Sequence, residues 1–379
     1  MIAAREGKVF SVIDLFCGCG GLSLGFSQVG FRVLLGADSD EQALITFRNN
    51  FKKSQAINLD LAESDSVTRV QETIGRKDVD VIVAGPPCQG FSLTGPRNFD
   101  DERNRLYLAI FEFVKKMNPK AFVIENVPGL ATLYGGEIRE EIRKRFQDLG
   151  FNVVPDVLCA ADYGVPQMRK RIFFVGLRRH FGKFAFPPKT HNPRNYVTCS
   201  DAIGDLPSRE EELGKEVDEY RQEATTAYQK KMREGSEKLY NHVATNHTKM
   251  VKAVIALVPE GGNYRDLPPG VGESRKFHEA WTRYHSKKPA RTIDTGHRNH
   301  FHYKFNRVPT VRENARLQSF PDTFIFFGNR TQQYRQVGNA VPPLLVEALA
   351  RQLLIYLDDE LSLKHLESVS LFKYLRSGE

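Results

Sequence analysis

One cysteine stands where the sequence could do chemistry. Cys88 follows a short apolar run, Val79 to Ala84, and the turn Gly85-Pro-Pro. Two prolines fix φ just before the thiol and remove two backbone donors, so we expect a stiff tip at the end of a buried strand. α/β enzymes place reactive groups at such strand ends. For this motif alone, a buried structural cysteine after a turn is an equally good interpretation.

A carboxylate at a second strand end could act with that thiol. Glu125 directly follows the apolar run Ala121 to Ile124, where an unpaired and unused carboxylate would be costly. The helical pattern Leu106 to Met117 lies between the two apolar runs, so the three elements form one right-handed crossover. Cys88 and Glu125 are therefore expected at the same edge of a sheet. A solvated strand end is the alternative.

Three donors alternate further along the chain. Gln167, Arg169 and Arg171 face the same way if their segment is extended. Such a row suits an anionic or carbonyl-rich target. The alternative is a solvated, charged ribbon.

A glycine-rich turn near the start indicates a nucleotide-type pocket. The strand Val9 to Leu15 runs into Phe16-Cys-Gly-Cys-Gly-Gly21 and then a helix from about Leu22 to Val29. Glycines allow the backbone to approach a ligand closely. The turn lacks the dinucleotide fingerprint because Ser23 stands where the third glycine would be. A tight strand–helix turn without a ligand is the alternative.

Acidic residues follow the next two predicted strands. Asp38 ends the strand Phe31 to Ala37, eighteen residues after Gly20, a distance suited to ribose hydroxyls. Asp60 lies near the tip of a third strand that begins at Ala56. The alternation of strands and helices predicts an α/β fold with a mostly parallel, doubly wound sheet.

Composition limits the class of protein. The 379 residues are 41% hydrophobic and 26% charged, which is typical of a globular chain of two domains. No run approaches 18 apolar residues, and the N-terminus lacks an apolar signal region, so we expect a cytoplasmic protein without a membrane span. The five cysteines have no framework spacing. A net charge of +8 permits a polyanionic partner.

The later half changes character after about residue 179. Pro187-Pro188 and Asn192-Pro193 mark a linker, and Ser208 to Glu223 is so acidic that we predict a solvated helix there. Ser274 to Arg307 carries nine Lys/Arg among several aromatic residues, which suits a surface for phosphates and base edges. His297, His300 and His302 lack a completing cysteine or spaced acid, so no metal site is expected.

The C-terminal part has helix signals. Thr310-Val-Arg-Glu313 predicts a capping box that opens a short helix ending near Gln318. Tyr334 to Pro343 is predicted as a turn, and a helix follows from Leu344 to about Leu357 with Pro343 at its first position.

Six motifs in this order resemble those of the DNA cytosine-5 methyltransferases, particularly the bacterial type found with restriction systems. They are Asp14-Leu-Phe-Cys-Gly-Cys-Gly-Gly21, Gly85-Pro-Pro-Cys-Gln-Gly-Phe-Ser92, Glu125-Asn-Val127, Gln167-Met-Arg-Lys-Arg171, Arg312-Glu-Asn-Ala-Arg-Leu-Gln-Ser-Phe-Pro321 and Gln336-Val-Gly-Asn-Ala-Val-Pro-Pro343. The resemblance covers almost the whole chain. Its departures are mild: Cys17 and Cys19 replace commoner small or aliphatic residues, and Asp38 replaces the more usual Glu.

The resemblance implies an S-adenosylmethionine-dependent methyltransferase sheet with a smaller target-recognition domain. Residues 1–180 and 330–379 would form the catalytic domain, 181–310 the recognition domain and 311–329 a hinge segment. It also implies that the Cys88 thiolate adds to carbon 6 of a flipped-out cytosine, which makes carbon 5 nucleophilic. Glu125 would neutralise ring nitrogen 3, Arg171 would contact the base carbonyl, and Arg169 would support the site.

The same resemblance assigns ligand-binding residues. The cofactor S-adenosyl-L-methionine, and its product S-adenosyl-L-homocysteine, would contact Phe16, Gly18, Gly20, Asp38, Asp60, Pro87 and Asn339. Double-stranded DNA would contact Gln89, Ser92 and Arg103 in a closing loop that runs from Gln89 to Arg105, and Thr292, Arg298 and Asn299 in the recognition domain. Arg298 and Asn299 can read guanine and adenine, although phosphate contact alone would suit them equally.

The resemblance also suggests partners. A monomer that modifies DNA is expected, with a possible cognate restriction endonuclease acting on the same site. Two alternatives remain. One is a tRNA cytosine-5 methyltransferase, against which the large recognition segment argues. The other is a non-catalytic DNA-binding regulator, against which the intact Cys88, Glu125 and Arg171 argue. A nicotinamide-dependent dehydrogenase would follow from the glycine turn alone.

Overall fold

The computed structural model describes residues 8–87, 105–271, 280–296 and 299–358. The main sheet has seven strands: β1 Ser11–Leu15, β2 Arg32–Asp38, β3 Gln55–Asn58, β4 Val81–Ala84, β5 Ala121–Asn126, β6 Phe151–Cys159 and β7 Lys170–Arg178. The helices are α1 Gly21–Gln28, α2 Glu41–Asn50, α3 Ser66–Ile74, α4 Arg105–Met117, α5 Glu137–Asp148, α6 Cys199–Ile203, α7 Ala227–Arg233, α8 Lys249–Leu257, α9 Val311–Leu317, α10 Arg330–Asn339 and α11 Pro343–Leu357.

The strand order confirms the predicted α/β architecture. The strands lie in the order β3-β2-β1-β4-β5-β7-β6. β1 to β5 are parallel, and β7 pairs antiparallel with both β5 and β6. The order reverses between β1 and β4, and ligands bind at the carboxyl ends of strands beside such a reversal. Because β7 runs the other way, its first residues lie at this same edge.

Helices cover both faces of the sheet because its strands are apolar on both sides. In β1, Val12 packs into one core and Ile13 into the other, and β4 alternates in the same way. α1, α2 and α11 contribute to the first core, whereas α3, α4 and α5 contribute to the second. The apolar face of α11 points inward through Leu345, Leu349 and Leu353. The fold is therefore doubly wound.

The part between β7 and α9 has its own small sheets and cores. Its strands are β8 Val217–Asp218, β9 Leu239–Tyr240, β10 Thr282–Arg283 and β11 His300–Phe301. Two apolar clusters lie here, one built around α6 and α7 and one around the end of α8. The division of the chain into catalytic domain, recognition domain and hinge stays a prediction.

Buried ion pairs join α9 to this part. Arg316 lies fully buried and contacts Asp322 at 2.7 Å and Asp205 at 2.5 Å. Its two carboxylate partners come from the end of α6 and from the turn after α9. Removal of the guanidinium would leave both buried carboxylates with only their more distant arginine partners, Arg233 for Asp205 and Arg312 for Asp322.

A buried histidine connects the same regions. Nδ1 of His242 lies 2.8 Å from Oγ1 of Thr310, and Nε2 lies 2.9 Å from the Pro207 carbonyl. Because a carbonyl only accepts, Nε2 donates, and Nδ1 accepts from the threonine hydroxyl. Burial lowers the pKa of His242 to about 4, with the nearby Glu313 carboxylate acting in the opposite direction. The imidazole is therefore neutral in the folded protein.

The capping box at Thr310 is confirmed. The Thr310 side chain accepts from the Glu313 amide, and the Glu313 carboxylate accepts from the Thr310 amide. Arg307 also binds Glu313 in a buried pair. Although burial disfavours the charged carboxylate, Arg307 outweighs this effect and holds the pKa of Glu313 well below its usual range.

Two local predictions are wrong. The acidic segment Ser208 to Glu223 is not a helix but irregular chain with the short strand β8, because Arg209 turns inward to bind Asp218 at 2.6 Å. Tyr334 to Asn339 is not a turn but part of α10. Its signal is Asn329, whose side chain caps the helix and forms a capping box with Gln332.

One stretch has the length and apolar composition of a membrane span. It is Arg330–Leu357, and 56% of its apolar window is buried inside the fold. The stretch comprises α10 and α11, which are joined at Ala340 by extended backbone. α11 packs against α1 and buries its apolar face in the first core, as a core helix does.

Candidate active site

The glycine turn lies at the carboxyl end of β1. Phe16, Gly18 and Gly20 have φ of 59°, 52° and 101°, which bends the chain sharply into α1. A side chain at Gly18 would meet nothing within 4 Å, so this face of the turn is open. Gly18 and Gly20 need glycine because of their backbone conformation.

Asp38 holds this turn from the end of β2. One carboxylate oxygen accepts from the Gly18 amide at 2.7 Å, and the other accepts from the Asp40 amide at 2.8 Å. Burial raises the pKa of Asp38, and these hydrogen bonds partly offset that effect. Each oxygen retains a second acceptor site, so the carboxylate can also accept from ribose hydroxyls.

Asp14 supports the turn from below. Its Oδ2 accepts from the hydroxyl of Ser23 at 2.7 Å and from the Ser23 amide at 3.1 Å. Its Oδ1 is buried and has no hydrogen-bond partner among the described residues. Burial raises the pKa of Asp14 to about 7.

The C-terminal segment closes over the same turn. A Cβ at Gly21 would lie 2.5 Å from the Val341 carbonyl, so only glycine allows this close approach. The Cys19 thiol lies 3.7 Å from the Gln336 carbonyl. Asn339, at the end of α10, is exposed beside this contact. Asp38 therefore holds the open face of the glycine turn, and the C-terminal segment that carries Asn339 packs against the same turn.

Asp60 lies beyond the end of β3. Its Oδ1 accepts from the Ala62 amide at 3.0 Å, and its Oδ2 lies 3.7 Å from the guanidinium of Arg105. Both side chains are substantially exposed. Asp60 thus remains accessible from the carboxyl edge of the sheet.

Glu125 and Arg171 form a buried pair at the ends of β5 and β7. Nε of Arg171 lies 2.9 Å from Oε1 of Glu125. Burial raises the pKa of Glu125 above its ordinary value, and the charges of Arg171 and Arg169 partly offset that rise. Oε2 of Glu125 lies near Gly85, 3.6 Å from where a Cβ on that glycine would be. The carboxyl group therefore borders the chain that leads to Cys88.

Gln167 and Arg169 bind the protein's own backbone. Arg169 donates to the carbonyls of Ile293 at 3.2 Å and Gly338 at 2.9 Å, and Gln167 binds both Ile293 and Leu317. Both side chains are buried, so the solvated-ribbon alternative is wrong. Their target is rich in carbonyls, but it belongs to this chain. Arg171 instead reaches the candidate site.

Asn126 links the ends of β4 and β5. Its amide nitrogen donates to the Pro86 carbonyl at 3.0 Å and to the hydroxyl of Tyr107 at 2.8 Å. The sequence patterns do not single out Tyr107. Its position in the first turn of α4, with a polar tip on an otherwise apolar face, was the available signal.

Several predicted residues lie outside the described residues: Cys88, Gln89, Ser92, Arg103 and Arg298, together with the predicted closing loop up to residue 104. Pro87, the last described residue before Cys88, is exposed. Thr292 is also exposed, with Oγ1 3.5 Å from the Met168 carbonyl. The side-chain Nδ2 of Asn299 donates to Oδ2 of Asp294 at 2.6 Å.

The basic, aromatic segment is only partly a surface. Arg283 is buried and donates to the carbonyls of Val258, Ile255 and His302. Arg307 is buried against Glu313, and Tyr284 and Phe301 belong to the small cores. The interpretation of this whole segment as a nucleic-acid surface is wrong for these four residues, because they stabilise the local fold.

The strand order and the glycine turn held by Asp38 are typical of the S-adenosylmethionine-dependent methyltransferase fold, and the Glu125–Arg171 pair lies at the carboxyl edge of its sheet. The family model of the C-5 cytosine-specific DNA methylases matches residues 10–354. The chain belongs to this family, and it is an S-adenosylmethionine-dependent DNA (cytosine-5-)-methyltransferase.

Relatives and solved structures agree. The chain is 42% identical over 352 residues to the type II methyltransferase M1.HphI of Haemophilus parahaemolyticus, which covers 90% of this chain and 86% of the relative. It is 37% identical to the type II methyltransferase M.DdeI of Desulfomicrobium norvegicum, in a match that covers 92% of this chain and 89% of the relative. A solved E. coli prophage protein described as a DNA modification methyltransferase is 27% identical, with a TM-score of 0.74 over 92% of this chain and 99% of that one.

Proposed function

We propose that the protein methylates carbon 5 of a cytosine flipped out of a specific duplex DNA sequence, through a covalent adduct on Cys88. The observation that carries the proposal is the buried Glu125–Arg171 pair beside the Gly85–Pro87 chain. Carbon 6 of cytosine is inaccessible in a stacked duplex, so attack on it requires base flipping.

Cys88 supplies the nucleophile. Its sulfur forms a bond to carbon 6, and the electron pair of the 5,6 double bond makes carbon 5 nucleophilic. Bound S-adenosyl-L-methionine supplies an electrophilic methyl group for carbon 5. Transfer of the carbon 5 proton to a water molecule and cleavage of the sulfur–carbon bond then restore the aromatic ring and the thiolate.

Glu125 and Arg171 stabilise the ring during the addition. Negative charge develops toward ring nitrogen 3 and the base carbonyl. A carboxyl group with a raised pKa can hold a proton at nitrogen 3, and burial gives Glu125 such a pKa. Arg171 orients that carboxyl group and has other donors for the carbonyl.

The chain's own residues would hold the cofactor around the glycine turn. Phe16, Gly18 and Gly20 would surround its methionine part, Asp38 would accept from the ribose, and Asp60 would accept from the adenine amine. Pro87 and Asn339 would border it from the neighbouring segments. The open face at Gly18 and the second acceptor sites of Asp38 support this assignment.

DNA recognition is assigned to the two groups of residues that the family motifs nominate. Thr292, Arg298 and Asn299 would contact the major groove, and Gln89, Ser92 and Arg103 would contact the flipped nucleotide or the gap that it leaves. We further propose that the enzyme is the modification partner of a restriction endonuclease that acts on the same sequence, because its relatives carry type II names.

Trapping with 5-fluorocytosine tests the covalent step. Duplex DNA with this base at the target should form a denaturation-resistant complex in the presence of cofactor, because fluorine blocks loss from carbon 5. Cys88→Ser should abolish the complex and Cys159→Ser should retain it. Methyl transfer by Cys88→Ser would overturn the nucleophile assignment, and methylation of bulk tRNA in place of duplex DNA would overturn the substrate.

A further inference from the structure

We propose that Tyr107 is a positioning residue for the methyltransferase reaction, because its hydroxyl fixes the Asn126 amide that holds the Pro86 carbonyl. The inference rests on the proposed function in one respect, since it takes the chain that leaves Pro87 to carry the nucleophile. Tyr107 touches neither base nor cofactor in this proposal; it acts through Asn126.

The hydrogen bonds determine how the Asn126 amide points. Its oxygen accepts from the Val127 amide at 2.8 Å, whereas its nitrogen donates to the Pro86 carbonyl at 3.0 Å. A backbone N–H can only donate and a carbonyl can only accept, so the amide cannot be turned over. The second hydrogen of the nitrogen points to the Tyr107 hydroxyl, 2.8 Å away.

Burial makes this second bond matter. Tyr107 and Asn126 are each only 3% exposed, and Pro86 is buried. A buried N–H that loses its acceptor must either stay unsatisfied or turn toward another group. Without the hydroxyl, the Asn126 amide would thus lose one of the two acceptors that define its rotamer, and its grip on Pro86 would weaken.

A hydrogen bond to the Pro86 carbonyl can fix the local backbone, because few other main-chain groups there can form hydrogen bonds. Pro86 and Pro87 lack N–H groups, so this part of the chain cannot be fixed through its own donors. The carbonyl of Pro86 belongs to the peptide that joins the two prolines. Holding that oxygen fixes the plane of the peptide, and hence the direction in which the chain continues beyond Pro87.

The position of Asn126 suits this role. It follows Glu125 in β5, and successive residues of a strand point to opposite faces. The strand end therefore presents the Glu125 carboxyl group on one face and, on the other, the Asn126 amide that holds the Pro86 carbonyl. We call this Asn126–Pro86 contact, with Tyr107, the clamp. Tyr107 stands on α4, so the clamp joins three elements of the fold.

Tyr107→Phe tests the inference because it removes only the hydroxyl. At saturating DNA and cofactor, we expect kcat and the rate of adduct formation with 5-fluorocytosine duplex to fall by about fivefold to tenfold. The KM for cofactor and the Kd for DNA should stay near wild type. Tyr356→Phe is the matched control: its hydroxyl also accepts one hydrogen bond, from the Ala185 amide at 3.0 Å, but far from the site.

A double-mutant cycle tests whether Tyr107 acts through Asn126. In an Asn126→Ala background, Tyr107→Phe should have no further effect on the adduct rate, whereas independent effects would multiply. If wild type forms the adduct and Tyr107→Phe forms it equally fast, this inference is overturned. If wild type forms no adduct, the proposed function fails instead. An equal loss of rate in Tyr356→Phe would show a general packing effect and also overturn it.

Discussion

His242→Gln should reduce the loss of stability that the protein suffers between pH 7 and pH 5. Glutamine can still donate to the Pro207 carbonyl, but it does not titrate and lacks the acceptor that Nδ1 offers to Thr310. We therefore expect a cost of about 1 kcal/mol at pH 7 from that lost hydrogen bond. The informative quantity is the further change on acidification.

The magnitude follows from two pKa values. Histidine in an unfolded chain has a pKa of about 6.5, whereas burial lowers the pKa of His242 to about 4 in the folded protein. Between these values the unfolded state binds a proton that the folded state does not. The contribution of the neutral His242 to the free energy of unfolding is therefore fully present above pH 6.5 and is lost as the pH decreases toward 4. At pH 5 the imidazole alone should cost about 2 kcal/mol.

Urea unfolding at pH 7 and pH 5 measures how much His242 contributes to the loss of stability on acidification. The drop in unfolding free energy between the two conditions should be about 2 kcal/mol smaller in His242→Gln than in wild type. Some drop remains, because burial also lowers the pKa of His302, to about 3. His180→Gln, at an exposed position, should behave as wild type. Equal drops in His242→Gln and wild type would refute the reasoning.

Two further substitutions test the buried charges. Arg171→Gln should lower kcat and move the alkaline limb of the kcat–pH profile to higher pH, because loss of the guanidinium raises the pKa of Glu125 further. Lys170→Gln, at the exposed neighbouring position, should leave this limb in place. A limb that moves to lower pH in Arg171→Gln would contradict the assignment. Arg316→Met should lower the free energy of unfolding by about 3–5 kcal/mol, since two carboxylates stay buried. Arg351→Met, which removes an exposed arginine from its pair with Glu347, should cost less than about 0.5 kcal/mol. Equal losses in the two variants would refute the argument.

Local patterns predicted the strands and the residues at their ends. The apolar runs before Asp38, Gly85 and Glu125 each became a strand of the main sheet, with the named residue at or next to its carboxyl end. This succeeded because a strand buried on both faces needs a nearly continuous apolar run, which few other elements show. The crossover rule then placed β4 beside β5.

Long-range partners could not be predicted in the same way. Arg169 finds its acceptors at Ile293 and Gly338, more than a hundred residues away in sequence. The helix predicted for the acidic segment was wrong for a related reason. Arg209 turns inward and pairs with Glu212 and Asp218, and the backbone that brings these carboxylates to it is not helical. In both cases the tertiary partner, not the local composition, determined the conformation.

The attachment of Ile293 has a consequence for the segment that follows it. Gln167 and Arg169 grip this residue only through its main-chain nitrogen and oxygen. Every amino acid except proline presents the same two atoms, so the anchor is indifferent to which side chains flank it. Under the proposed DNA-reading role of the segment after Ile293, substitutions in that segment can change the sequence specificity while Gln167 and Arg169 keep their hydrogen bonds to the main chain of Ile293.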